Sequence, residues 1–106
     1  MTDRLNTLEK MHSADPADAD LPYMIAIEHA NAERFDDAIT WLDKTLALNA
    51  HYHYAYFQKA KMLSELGDDG AAVTILDEGI AKASAASDGK ALGELQELRG
   101  MLAEGE

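Results

Sequence analysis

The side chains best suited to chemistry are four histidines, and their spacing decides what each can do. His51-x-His53, with Tyr52 between them and Tyr54 after, sets two imidazoles close enough to share a metal ion. A zinc-type site needs three or four ligands, and no further donor stands beside this pair. The string therefore reads as a loop entering a helix, with its imidazoles facing solvent. Glu9-x-x-His12 is half of the helical motif that holds paired iron ions. That chemistry needs a second copy and two further carboxylates in a four-helix core, and no second copy is present. His29 and Glu33 lie one helical turn apart, which suits a partly buried packing histidine better than a base or ligand. Ser13, Ser64, Ser84 and Ser87 lack the context of a nucleophile elbow, and no glycine run forms a phosphate loop. Without cysteine, thiol catalysis and zinc ribbons are excluded. The expectation is a chain without catalytic residues, metal or cofactor.

What must position these side chains is a chain of 106 residues, long enough for one domain and one core. Its hydrophobic fraction of 47% is too high for a disordered acidic tail. Twenty acidic residues against nine basic ones give a net charge of −11, which repels phosphate backbones, and the nine cations are scattered. Nucleic acid is thus excluded as a partner, and basic protein partners are favoured. The first residues carry no basic stretch followed by an apolar run, and no segment approaches a membrane span of about 20 apolar residues. A cytoplasmic protein is expected.

Apolar spacing is helical throughout, with no β-type alternation. Six helices are expected, near residues 4–13, 20–32, 36–48, 53–66, 69–86 and 89–103. Asp20 suits an N-cap with Pro22 in the first turn. Gly67 suits the left-handed residue that ends a helix, and Asp88-Gly89 a break. The fold class is all-α, built of antiparallel hairpins.

The hairpins repeat at 34 residues. Ala26 maps onto Ala60, Ala38 onto Ala72, Leu42 onto Leu76, and Thr45 onto the similarly small Gly79. Ile39 maps onto Val73 and Leu46 onto Ile80, while a step back from Ala50 reaches Pro16. Small residues at such positions let helix axes approach to about 8–10 Å.

Tyr56-x2-Lys59-Ala60-x2-Leu63 followed by Ala72-x3-Leu76, and Pro22-x2-Ile25-Ala26-x2-His29 followed by Ala38-x3-Leu42, resemble the tetratricopeptide repeat. Lys59 departs from it at a usually apolar site, and Pro22 at a usually aromatic one. The whole layout also resembles small bacterial proteins of this family. The resemblance implies a short right-handed solenoid of stacked hairpins: a truncated half-repeat over 1–16, full repeats over 19–52 and 53–86, and a capping helix over 87–106. It also implies a non-enzymatic scaffold that binds a peptide or protein segment in a concave groove. Carried over position by position, the groove is Tyr23, Ile27, Asn31, Tyr54, Phe57, Lys61 and Glu65, with Ala30 and Ser64 beside them. A competing reading has Tyr23 and Phe57 merely packing against neighbouring helices. One family groove clamps a chaperone's terminal carboxylate with Lys, Asn and Arg. Its positions here hold Asp20, Met24, Tyr54 and Gln58, so that clamp is absent.

The last helix needs its own register. A strict 34-residue step puts Glu94 at the small buried position, which is costly for an unpaired charge. Two extra residues in the 85–89 connector put Leu92 and Leu95 at the packing positions instead, with Gly93 and Gly100 opposite the leucine stripe. The amphipathic first helix and one-sided last helix close both ends, which implies a monomer or weak homodimer. The alternative function is a self-associating structural subunit, since open hairpin stacks expose apolar ends.

Overall fold

A computed structural model describes residues 2–104, apart from the side chain of Thr2. Met1, Gly105 and Glu106, the outermost residues of the expected half-repeat and capping segment, lie outside the described residues. Six helices follow in order: α1 (Thr2–Ala14), α2 (Asp20–Asn31), α3 (Phe35–Leu48), α4 (His53–Glu65), α5 (Asp69–Ala85) and α6 (Gly89–Glu104). Each boundary lies within two residues of its expected place, and no strand occurs among the described residues. None of these helices is long and apolar enough to cross a membrane.

Three helices stop by one device. The backbone N–H groups of Arg34, Asp68 and Asp88 donate back to the carbonyls of His29, Leu63 and Ala83, at 2.9, 2.9 and 3.0 Å. The residue before each donor is left-handed: Glu33 at φ 62°, Gly67 at 85° and Ser87 at 56°. Gly67 fills this role as expected. At the next break the strained residue is Ser87, while Gly89 already begins α6.

Helix starts divide between two solutions. Asp68 and Asp88 accept from the backbone N–H groups of Ala71 and Ala91, ordinary caps that satisfy an orphan donor. Asp20 is no such cap. The carboxylate of Asp18 accepts from the Asp20 N–H at 2.9 Å, leaving the Asp20 carboxylate free to reach another element. Pro22 is fully buried in the first turn of α2.

Consecutive helices pack on one another, and α6 also rests against α4. The core is three linked clusters rather than one ball. Leu8, Leu21 and Ile25 join α1 to α2; Ala26, Ala38, Leu42, Ala55 and Met62 join α2, α3 and α4. Tyr56, Ala60, Ala72, Leu76, Ala91 and Leu95 join α4, α5 and α6. Trp41 and Leu46 bridge successive clusters. Such stacking, in which each hairpin buries its face only against its neighbours, gives a slab of 39 × 30 × 18 Å.

The small residues sit where axes come closest. Ala26, Ala38, Ala60 and Ala72 have no exposed surface, and a Cβ on Gly79 would lie 2.8 Å from the Tyr56 Cβ. Lys59 occupies its usually apolar site without leaving a buried charge. Its stem is covered and its Nζ reaches Asp43 on α3 at 2.6 Å.

In α6, Ala91 and Leu95 are buried, while Leu92 is half-buried and Glu94 stays in partial contact with solvent. Leu95 thus takes an interior position as expected. The buried pair Ala91 and Leu95 matches Tyr56 and Ala60 at one residue beyond the 34-residue step, rather than two.

Candidate interaction surface

α2, α4 and α6 line one face of the slab, and two grooves run between them. The first, about 470 Å³, lies between α2 and α4 and gathers Ile27 and Asn31 from one wall, Lys61 and Glu65 from the other. Gln58 and Met62 form its floor with Ala30, and Glu33 and Phe35 close its end. The second, about 360 Å³, lies between α4 and α6, where Phe57 and Lys61 face Leu98 and Met101 under the carboxylates of Glu94 and Glu97. Lys61 belongs to both, its Nζ 5.8 Å from the Phe57 ring centre, within cation–π range. Phe57 is half-buried because its ring also packs on the adjoining core cluster. Tyr54 is exposed and shares a narrow cleft with His53, Phe57, Ala91 and Leu95.

Tyr23 is not in the lining of either groove but borders the first, through Gln58 on its floor. Its ring stacks on Tyr52 at 4.9 Å between centres, tilted by 33°. Burial lifts its pKa above the usual value of 10, against the opposing pull of a hydrogen bond with Gln58. Tyr52 is a residue that sequence spacing did not single out. Its hydroxyl donates to the Asp20 carboxylate at 2.7 Å, tying the lead-in of α4 to the start of α2. Burial first, then this bond and the carboxylate's charge, hold the phenol protonated well above its usual range.

The histidines resolve individually. His51 is exposed, as expected for a loop imidazole. His53 is not solvent-facing. As the first residue of α4 it turns toward the start of α6, where its side chain is 11% exposed and its Nε2 lies 3.7 Å from Asp88. Its Nδ1 is buried without a hydrogen-bond partner among the described residues. The two rings meet edge-on at 6.2 Å, and no group of three or more His, Cys, Asp or Glu is placed to hold a metal among the described residues. His12 packs edge-on against Trp41 at 5.5 Å. His29 is half-buried, and its Nδ1 accepts from Arg34 Nε at 2.9 Å rather than meeting Glu33.

The other wall of the second groove was not legible beforehand. Leu98 reads in the sequence as part of the one-sided stripe of the last helix and Glu94 as a register problem, while Met101 is given no role. With α6 leaning on α4, Leu98, Met101 and Glu94 all line the second groove.

No protein-family model matches the sequence, and no curated protein matches it. Solved structures do. The tetratricopeptide repeat domain protein from Salinibacter ruber superposes with a TM-score of 0.80 at 24% identity, covering 87% of this chain and 93% of its own. The TPR2B domain of yeast Sti1, in its pHsp70 complex, gives 0.88 at 20% identity, over 96% of this chain and 82% of that one. Protein BPP2914 from Bordetella parapertussis gives 0.81 at 27% identity, over 94% and 87%. The chain has the tetratricopeptide-repeat fold, a short solenoid of helical hairpins.

Proposed function

We propose that this chain is a non-enzymatic interaction module whose concave face, lined by α2, α4 and α6, receives a segment of another protein. The two full repeats at 19–52 and 53–86 form the platform, with Tyr54 and Phe57 at its centre. The observation that carries this reading is the pair of grooves meeting at Lys61, with Phe57 beside it in the second, where apolar side chains stay open to solvent. Exposed apolar surface within a concavity is the usual mark of a binding site. The likeness to the Sti1 domain in its pHsp70 complex supports a protein ligand. Asp20, Met24, Tyr54 and Gln58 differ from a carboxylate clamp, so a free chain terminus is not the proposed ligand. The excess of carboxylates favours a segment carrying Lys or Arg.

The test is a pull-down from the native host with the wild type and a Tyr54→Ala/Phe57→Ala variant that is first shown to remain folded. A partner that binds the wild type and loses affinity for the variant supports the reading. A partner that binds both equally, with its footprint on α3 and α5, refutes it. The proposed state is a monomer or weak homodimer, because the exposed faces of α1 and α6 are mainly polar, with Asp3, Asn6, Lys10 and Gln96, and carry Met11 and Met101 as their open large apolar groups. Light scattering across a dilution series checks it.

A further inference from the structure

The two grooves differ in chemistry. Between α2 and α4 the walls are mixed, with Asn31, Gln58, Glu33 and Glu65 set among the apolar groups. Between α4 and α6 the floor is apolar, formed by Phe57 and Leu98 with Met101 at its open edge, and the polar groups are two glutamates and Lys61. Met101 is 62% exposed, the most open of the large apolar side chains. Glu94 is half-buried, and neither it nor Glu97 has a hydrogen bond or ion pair among the described residues. Acids elsewhere between helices are matched, as Asp43 is by Lys59 and Asp77 by Arg99. The second groove is thus an apolar floor beneath a rim whose carboxylates outnumber its one ammonium.

We propose that the α4–α6 groove is a specificity pocket for a segment of another protein that carries one long apolar side chain beside a Lys or Arg. This inference rests on the concave-face reading above and deepens it. The apolar side chain, Leu, Met or Phe, enters over Phe57 and Leu98. Met101, unbranched and polarizable, folds over it and adapts to its shape. The neighbouring cation pairs with Glu94 and Glu97, which drop out of water as the ligand arrives and so gain from a charge-assisted bond. The volume of about 360 Å³ suits one anchored side chain with its flanking backbone, at the lower end of ordinary ligand pockets. An acidic segment would face like charges at this rim, so the same carboxylates reject it.

The experiment selects a random peptide library displayed on phage against the immobilised wild type. Enriched peptides are then synthesised with a fluorescent label and titrated by anisotropy, and their footprints are mapped by amide chemical shifts. The variants are Met101→Asp and Glu94→Lys/Glu97→Lys, with Met101→Gln as a milder change should the first lose its fold. The expected peptides join Leu, Met or Phe to a Lys or Arg within a helical turn, and their shifts fall on α4 and α6. Met101→Asp weakens them by about tenfold or more, and the double lysine variant loses the preference for basic peptides. Peptides that perturb only the α2–α4 groove and bind every variant as they bind the wild type overturn this inference while leaving the concave-face reading intact. Enriched peptides that are acidic or show no charge preference also overturn it. Footprints on α3 and α5, or no enrichment at all, sink both readings. Concentration-dependent dimerisation that protects Met101 assigns the pocket to a second copy and overturns the proposal.

Discussion

At the scale of single residues, backbone approach and backbone handedness give separable predictions. Gly79 sits where α5 meets Tyr56, and a Cβ there would lie 2.8 Å from the Tyr56 Cβ, a backbone-proximal atom that cannot swing away. Gly79→Ala is expected to cost about 1–3 kcal/mol by overpacking, read from the urea midpoint. Gly67 meets no such obstacle, since nothing lies within 4 Å of an added Cβ, yet its φ is +85°. Gly67→Ala is therefore expected to cost about 1 kcal/mol through strain alone. Gly93 has the same open space in a helical conformation, so Gly93→Ala should stabilise by about 0.5–1 kcal/mol. A common sign for the two substitutions would contradict this assignment. The small residues were legible because they recur at 34. The strained Glu33 and Ser87 were not, because neither type signals a left-handed backbone as glycine does.

At the scale of elements, the contact between Tyr52 and Asp20 fixes how one hairpin follows the next. Removing it with Tyr52→Phe is expected to cost about 1 kcal/mol at neutral pH, measured by denaturant unfolding. The pH dependence follows from the direction of the phenol's shift. Because its pKa is raised in the folded state, its contribution is complete below the usual value near 10 and declines as pH rises beyond that value. The wild type should lose more stability than Tyr52→Phe between neutral pH and the alkaline range; parallel curves would contradict this. Most elements could be placed from the sequence, because apolar period, caps and breakers agree within each helix. Two readings missed. Asp20 has the right type for a cap, but Asp18 lies two residues before it and takes the N–H, a competition that residue type alone does not decide. In α6, Ala91, Leu95, Leu98 and Leu102 share one stripe with Leu92 beside it, and the stripe alone does not say which of its residues matches the small position of the preceding repeat. The contact with α4 selects the register that buries Ala91 and Leu95 and leaves Met101 in the groove.

For the whole molecule, charge and shape together set the expected behaviour. With a net charge of −11, association with a basic segment should be fast at low salt and weaken as salt rises. Apolar contacts with Phe57, Leu98 and Met101 should leave a residual affinity at high salt, whereas a purely electrostatic encounter would vanish. Titrations at rising sodium chloride distinguish these outcomes. A stacked solenoid changes its surface little on binding, so ordering costs stay small and the aromatic anchors can dominate. The central claim is that the face formed by α2, α4 and α6 does the binding. Its most direct test is amide hydrogen exchange of this protein with and without a partner captured by the wild type. The account predicts protection concentrated on α2, α4 and α6, and an affinity lowered by about 2 kcal/mol or more in Tyr54→Ala/Phe57→Ala. Protection confined to α3 and α5, with unchanged affinity in that variant, would contradict it.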